Sequence, residues 1–169
     1  PPDTAEPSDT GDTADTAGPT EPEPEPNVPP TAVWMDPASG LTYGEGDIIT
    51  FVGLADDTED EPDALTTTFT SDIDGPLGTA TPDADGLATI DVSLSPGTHL
   101  VSFVVTDSAG AEDSAMAALS INAKPTVPSI HLVPDNPNTT HDLEVIFDAE
   151  STDPDGSPVY YLYEWTCDG

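Results

Sequence analysis

The sequence predicts an all-β fold in which one complete sandwich module is followed by the first half of a second. Three observations carry this prediction. Short apolar or alternating runs recur about every 10 residues, with turn residues between them. No run with apolar residues at helical spacing competes with these strands. The order of strands, turns and acidic loops then starts again after roughly 95 residues, which is the size of one small sandwich domain.

The N-terminal segment, residues 1–26, contains no aromatic and no large aliphatic side chain. It joins a Thr/Asp-rich run to alternating Glu and Pro at 21–26. Such a segment cannot bury enough apolar surface to offset its conformational entropy, so we expect it to be disordered. Because proline favours polyproline II and the carboxylates repel one another, it is predicted to be an acidic spacer of up to about 80 Å, at about 3.1 Å per residue. A recognition motif is the alternative.

Residues 27–122 carry the apolar content of an ordinary all-β domain. Seven strands are predicted, at 31–35, 47–54, 65–70, 78–81, 87–94, 97–106 and 115–121. Turn residues separate them, at 37–40, 74–75, 85–86, 95–97 and 108–110. Apolar residues alternate along 87–94 and occupy both faces of 97–106, which is typical of a central strand. This spacing indicates a Greek-key β-sandwich of immunoglobulin-like architecture.

A linker at 123–128 leads to strands predicted at 129–133, 143–148 and 159–166, which repeat the first three strands of the first module. Residues 129–169 are therefore predicted to form a partial second sandwich. Three strands are too few to close a sandwich, so we expect this half to be marginally stable or to pair its open edge with another strand. The lone Cys167 provides no disulfide framework within the sequence.

The charge balance excludes two classes of partner. The chain has 34 carboxylates and a single basic residue, Lys124, for a formal net charge of -33. Nucleic acid and anionic membrane surfaces are excluded, because no cationic surface exists to release their counterions. No stretch approaches the roughly 18 apolar residues of a membrane-spanning helix. The same charge attracts divalent cations.

Acidic loops form two candidate calcium sites. In an immunoglobulin-like sandwich, the start of the first strand and the loops after the second and sixth strands lie at one pole. The residues placed there are Asn27, Asp56, Asp57, Glu59, Asp60, Asp63 and Asp107. Calcium takes six to eight oxygen ligands at about 2.3–2.6 Å, which carboxylates and loop carbonyls supply. Asp153 and Asp155 form the second candidate. The alternative is that these carboxylates are solvated loop residues that bind no fixed ion.

Catalytic motifs are missing from the sequence. His99, His131 and His141 are isolated from one another and from Cys167, and no Gly-x-Ser-x-Gly elbow occurs. Carboxylate pairs are plentiful but lie in turns, without the aromatic-lined cleft that a glycosidase needs. The sequence therefore predicts a protein that is not an enzyme.

Three segments resemble repeats of the PKD type, the immunoglobulin-like domains of the polycystic-kidney-disease family. They are Asn-Val-Pro-Pro-Thr-Ala at 27–32, Val-Val-Thr-Asp-Ser-Ala-Gly at 104–110, and Ser-Thr-Asp-Pro-Asp-Gly at 151–156 with Tyr-Glu-Trp at 163–165. The resemblance covers residues 27–169 and implies extracellular β-sandwich repeats, sometimes with bound calcium. The family's calcium positions map to Asn27, the loop 57–60, Asp153 and Asp155. The first module departs from the pattern, with Phe69 in place of the strand tryptophan.

The resemblance implies a non-enzymatic spacer or adhesion scaffold, stiffened by calcium, that is secreted or held on a bacterial surface. The Asp/Thr-rich spacer also resembles the stretch that follows the lipidated cysteine of bacterial surface lipoproteins, so it implies an upstream lipid anchor. An alternative function is a specific module that binds polysaccharide or protein, accessory to an enzyme elsewhere in a longer chain. The aromatic side chains available for such binding are Trp34, Tyr43, Tyr160, Tyr161 and Tyr163.

Overall fold

The computed structural model describes residues 25–166. The predicted spacer at 1–26 lies almost entirely outside these residues, as does Cys167. The strands of the first module are β1 Thr31–Asp36, β2 Leu41–Gly44, β3 Ile49–Asp56, β4 Thr66–Ser71, β5 Gly75–Ala80, β6 Leu87–Val92, β7 Gly97–Thr106 and β8 Glu112–Asn122. A short 3-10 helix, Pro62–Ala64, lies between β3 and β4. The second repeat contributes β9 Ser129–Val133 and β10 Glu144–Ala149. None of the helical structure in 25–166 is long and apolar enough to cross a membrane.

Two sheets form the first module. One has the order β1-β3-β6, and the other has the order β2-β8-β7-β4-β5. All neighbours are antiparallel except β2, which runs parallel to β8. This arrangement confirms the predicted all-β, immunoglobulin-like sandwich. The strand β2 was not predicted, because four residues with two polar side chains and a glycine show no readable alternation, and only pairing with β8 holds them extended.

The core lies between the two sheets and is dominated by aromatic rings. Phe51, Phe69 and Phe103 are fully buried, and the rings of Phe69 and Phe103 lie 4.9 Å apart. Trp34 closes one side of the cluster, in a T-shaped contact with Phe51 at a centroid distance of 5.7 Å, and its Nε1–H donates to the carbonyl of Pro37. The inward positions of β7 alternate along the strand, as the sequence pattern predicts.

In the second repeat the structure contradicts one predicted strand. β9 and β10 form a separate antiparallel pair, in agreement with the strands predicted at 129–133 and 143–148. Residues 159–166, the predicted third strand, lie in no sheet. The equivalent strand of the first module, β4, is bonded on one edge to β5 and on the other to β7. The second repeat has no counterpart of either strand in the residues described, so the backbone of 159–166 has nothing to pair with.

Candidate functional site

The pole formed by the N-terminal end of β1 and the loops after β3 and β7 brings several predicted ligands together. The amide Nδ2 of Asn27 donates to Oδ2 of Asp107 at 2.7 Å. Asp60 reaches the same loop, because its carboxylate accepts hydrogen bonds from the backbone N–H and the hydroxyl of Ser108, at 2.8 and 3.0 Å. Asn27, Asp60 and Asp107 therefore lie in one neighbourhood. We call this region, residues 27, 57–60 and 107–108, the acidic pole.

Asp107 is the most enclosed carboxylate of the acidic pole, at 6% exposed. Its Oδ1 accepts hydrogen bonds from the backbone N–H groups of Ala109 and Ala111, at 2.9 and 2.8 Å. The hydrogen bond from Asn27, followed by those backbone donors, lowers the pKa of Asp107 below its ordinary value, although partial burial acts in the opposite direction. The group is therefore held ionised by neutral donors.

Asp57 has one engaged and one free carboxylate oxygen. Oδ1 accepts from the backbone N–H groups of Glu59 and Asp60 at 2.7 and 2.8 Å, which forms an Asx turn. Oδ2 is buried and has no hydrogen-bond partner among the described residues. Glu59, by contrast, is exposed, and its carboxylate accepts a hydrogen bond from the neighbouring Thr58. Among the described residues, Asp57 is the one whose free side-chain oxygen is buried, so water does not readily satisfy it.

The second candidate site lies elsewhere, next to the linker between the repeats. Oδ1 of Asp153 accepts from the backbone N–H groups of Asp155 and Ser157, closing its own turn. Oδ2 of Asp155 accepts from the backbone N–H of Ala123 at 2.5 Å, directly after the end of β8. This is the opposite end of the first module from the acidic pole. Asp155 therefore has a contact that its predicted role as a calcium ligand did not anticipate.

Within residues 25–166, no group of three or more His, Cys, Asp or Glu side chains is arranged to hold a metal ion. Any calcium bound at the acidic pole would therefore need neutral amide or carbonyl oxygens among its ligands as well as carboxylates. Calcium accepts such mixed oxygen sets. The ligand assignments made from the sequence stay predictions.

A buried polar cluster, which the sequence did not reveal, lies at the other end of the first module. Ser71 and His99 are 2% and 0% exposed, and Ser71 Oγ lies 2.7 Å from His99 Nδ1. The other ring nitrogen lies 2.7 Å from the carbonyl of Ser95, so it carries the proton. Asp74 lies 3.9 Å from Nδ1, the nitrogen that Ser71 already contacts. The serine and the carboxylate thus lie on the same side of the His99 ring, not on opposite sides as in a catalytic triad. Because Ser71 and His99 are buried, a substrate has no access to them. The cluster joins β4 to β7 and is structural.

The aromatic residues considered for ligand binding divide into two groups. Trp34 and Tyr43 are partly buried and pack against the core of the first module. Tyr160 is 87% exposed, and Tyr161 and Tyr163 line the apolar face of the second repeat. Only the second group offers aromatic surface to another molecule.

The family model that matches this chain covers its first module. Residues 27–120, more than half of the chain, match the family described as bacterial Ig domain. The fibronectin(III)-like modules of Clostridium thermocellum CbhA superpose with a TM-score of 0.49 and 16% identity. The match covers 57% of this chain and about half (48%) of that structure. CopC from Methylosinus trichosporium OB3b gives a TM-score of 0.37 and 14% identity, covering 57% of this chain and 99% of CopC. No curated protein matches the chain. Over its complete module, the chain belongs to the bacterial Ig domain family.

Proposed function

We propose that the chain is a non-enzymatic spacer and scaffold of the bacterial cell surface, in which immunoglobulin-like repeats are joined stiffly end to end. The observation that carries this proposal is the hydrogen-bonded joint between the repeats. The backbone N–H of Ala123 donates to Asp155, and the backbone N–H of Lys124 donates to Glu45 at 2.9 Å. The first linker residues are therefore bonded to both repeats rather than left free.

Farther along the linker, Thr126 is bonded to the acidic loop of the second repeat. The N–H of Thr126 donates to the carbonyl of Thr152 at 2.8 Å, and the N–H of Thr152 donates to the hydroxyl of Thr126 at 2.8 Å. The hydroxyl of Ser151 donates to the carbonyl of Thr126. A linker held by these five contacts has fewer conformations than a free chain of the same length, and a spacer needs this property.

The finer parts of the proposal come from the sequence. The Asp-Pro-Asp-Gly loop at 153–156 and the Tyr-Glu-Trp segment at 163–165 support a PKD type of repeat. The Thr/Asp-rich segment before the first module supports an extracellular position and a lipid anchor upstream. We also propose calcium as a ligand of the acidic pole. The unpartnered Oδ2 of Asp57 supports this assignment, because a cation would satisfy an oxygen that no group within residues 25–166 reaches.

The joint can be tested with one substitution in the full chain. Asp155→Ala removes the acceptor for the N–H of Ala123, so amide hydrogen exchange at Ala123 should accelerate at least about fivefold, as expected for losing a hydrogen bond of about 1 kcal/mol. Small-angle scattering should show a broader distribution of distances in the variant. Asp135→Ala is the matched control. Asp135 is exposed in the loop between β9 and β10, and its substitution removes the same charge without touching the linker. Equal exchange at Ala123 in both variants would refute a stiff joint.

A second candidate function is a module that binds carbohydrate or protein through the aromatic residues of the second repeat. The exposure of Tyr160 and of Trp165, at 87% and 58%, favours it. A glycan array probed with the full chain tests the carbohydrate form of this function. Enrichment that disappears in Tyr160→Ala would support it, and an array without enrichment would count against it.

A further inference from the structure

The outer face of the three-stranded sheet carries a continuous apolar patch. Val33 lies opposite Leu54 in the strand register, and Leu54 lies opposite Leu87. Directly opposed residues point to the same face, so these three side chains form one row across the sheet. Val52 extends the patch along β3, and Met35 lies beside it in the bulge of β1. Val33 and Met35 are 40% and 48% exposed, and the other three are half-buried. We call these five residues the outer patch.

The outer face of the five-stranded sheet is built differently. Met116 lies opposite Ser102, and Val104 lies between Ser114 on one side and Thr68 on the other. Hydroxyl groups therefore interrupt the apolar side chains of that face. On soluble proteins, contiguous apolar patches with a polar rim mark interaction sites. The outer patch has this character, and its counterpart on the other sheet does not.

Exposed carboxylates surround the outer patch. One lies opposite Val52, one follows Leu54 by two residues, one lies at the far outward position of β6, and one lies in the turn before Leu87. In that order they are Asp36, Asp56, Asp91 and Asp83. The chain has a single basic residue, Lys124, which lies in the linker. Positive charge to complement this rim must therefore come from another molecule.

We propose that the outer patch binds a cationic amphipathic helix of another protein. Charge complementarity selects this partner, because its apolar stripe would cover the patch while flanking lysines or arginines meet the carboxylate rim. The dimensions also agree. The row from Val33 to Leu87 crosses three strands and spans about 10 Å, at about 4.8 Å between neighbouring strands. Two turns of an α-helix are about 11 Å long, so apolar residues at i, i+4 and i+7 match the row.

Two other occupants are disfavoured by composition. Residues 1–24 contain no aromatic, large aliphatic or basic side chain, so they supply neither the apolar stripe nor the positive charge. A second copy of this chain brings the same acidic rim and a net charge of -33, so two outer patches would repel each other. The inference goes beyond the spacer role, because it makes the first module a docking surface for a defined class of partner.

The probe is an amidated peptide of three Leu-Lys-Lys-Leu units, which places leucine on one face of a helix and lysine on the other. Titrated into the full chain at physiological salt, it should bind saturably and gain helical circular dichroism, to which the β-strands of the chain contribute little. Leu54→Ser should weaken binding at least about tenfold, because a leucine side chain is lost from the contact. Leu100→Ser is the matched control, since it makes the same change at a 46% exposed position on the outer face of the other sheet. It should change the affinity by less than about twofold.

Two further peptides separate charge from apolar contact. A peptide with glutamine in place of every leucine keeps the positive charge, and it should bind the wild type no more tightly than it binds Leu54→Ser. A peptide with glutamate in place of every lysine keeps the apolar stripe and should not bind. Hydrogen exchange should slow in β1, β3 and β6 when the leucine-lysine peptide is bound.

Several results would overturn the proposal. Absence of saturable binding to the wild type would do so directly. Equal affinity for the wild type and Leu54→Ser would mean that net charge alone binds the peptide, and binding of the glutamate peptide would remove the role of the rim. Self-association in sedimentation that Leu54→Ser abolishes would make a second copy the occupant. If Leu54→Ser unfolds, Val33→Ser decides the question at a position that is already 40% exposed.

Discussion

Gly53 is the position at which one added methyl group should cost the most. It lies in the middle of β3, opposite Trp34 on one side and Ala88 on the other. A Cβ atom at this position would meet three ring carbons of Phe103 at 2.5–2.6 Å. Ordinary carbon contacts are about 3.5–4.0 Å, so the ring would have to move by about 1 Å. Phe103 is fully buried and packs against Phe69, which leaves it no space for that movement.

We therefore expect Gly53→Ala to lower the free energy of unfolding by about 2 kcal/mol, within the range for overpacked cores. For a module of this size that loss corresponds to a fall in Tm of about 8–16 °C. Urea denaturation of the full chain at pH 7, followed by far-UV circular dichroism and paired with calorimetry, measures both quantities. The same substitution reduces the entropy of the unfolded chain and would by itself stabilise by about 0.4–1 kcal/mol, so a loss is diagnostic of the clash.

Gly78→Ala is the matched control. It lies in β5, and a Cβ there would meet the side chain of Ile90 at 3.8 Å, which is an ordinary contact. Its stability should be unchanged or slightly higher. In Gly53→Ala, replacing Phe103 with the smaller Leu should recover part of the loss, with a coupling energy of about 1 kcal/mol in a double-mutant cycle. Unfolding free energies of Gly53→Ala and Gly78→Ala within about 0.5 kcal/mol of each other would refute the close contact between Gly53 in β3 and Phe103 in β7.

Two further predictions concern the carboxylates. Hydrogen bonds from Ser95 lower the pKa of Asp74, with a smaller contribution from His99, and the bond from Asn27 lowers the pKa of Asp107. Because the unfolded chain binds these protons more tightly, the stability that these two carboxylates contribute should be complete above about pH 5 and be lost as the pH drops below it. Asp107→Asn should flatten this loss in urea titrations at different pH values; equal slopes would contradict it. Calcium should bind the full chain with a Kd below about 1 mM and raise its Tm, as seen by calorimetry. Asp57→Asn should abolish both effects. Asp135→Asn, which removes an exposed charge in the loop between β9 and β10 of the second repeat, should leave them. Loss in both variants would mean that only net charge matters.

The elements that the sequence predicts well are those whose pattern is complete within the strand. Residues 97–106 alternate along their whole length, and β7 has those bounds. The segment 159–166 alternates equally well and is not a strand, because strand formation requires a partner backbone that the pattern of one segment does not contain. β2 shows the converse, since four unremarkable residues are held extended by β8 alone.

The contacts around the candidate sites also include some that the sequence predicts and some that it does not. Asn27, Asp60 and Asp107 meet as predicted, because the topology of a sandwich fixes which loops share a pole. The contact of Asp155 with the linker could not be predicted, since it depends on how one repeat lies against the next. The pairing of Ser71 with His99 depends on the register of β4 against β7, which sequence periodicity leaves open.

Several carboxylates of this chain have a structural role that needs no lysine or arginine partner. A chain with one basic residue cannot neutralise its acids with lysine or arginine, and its aspartates bond to backbone N–H groups instead. Asp57, Asp83 and Asp153 each accept from two N–H groups of their own turn. The short Asp side chain suits this geometry. These bonds satisfy the donors of the loops but leave the mutual repulsion of the charges in place. Replacement of Asp by Asn keeps the accepting oxygen and removes the charge. Comparing Asp→Asn with Asp→Ala at one turn therefore separates the contribution of the hydrogen bonds from that of the charge repulsion. A bound cation can reduce only the repulsion.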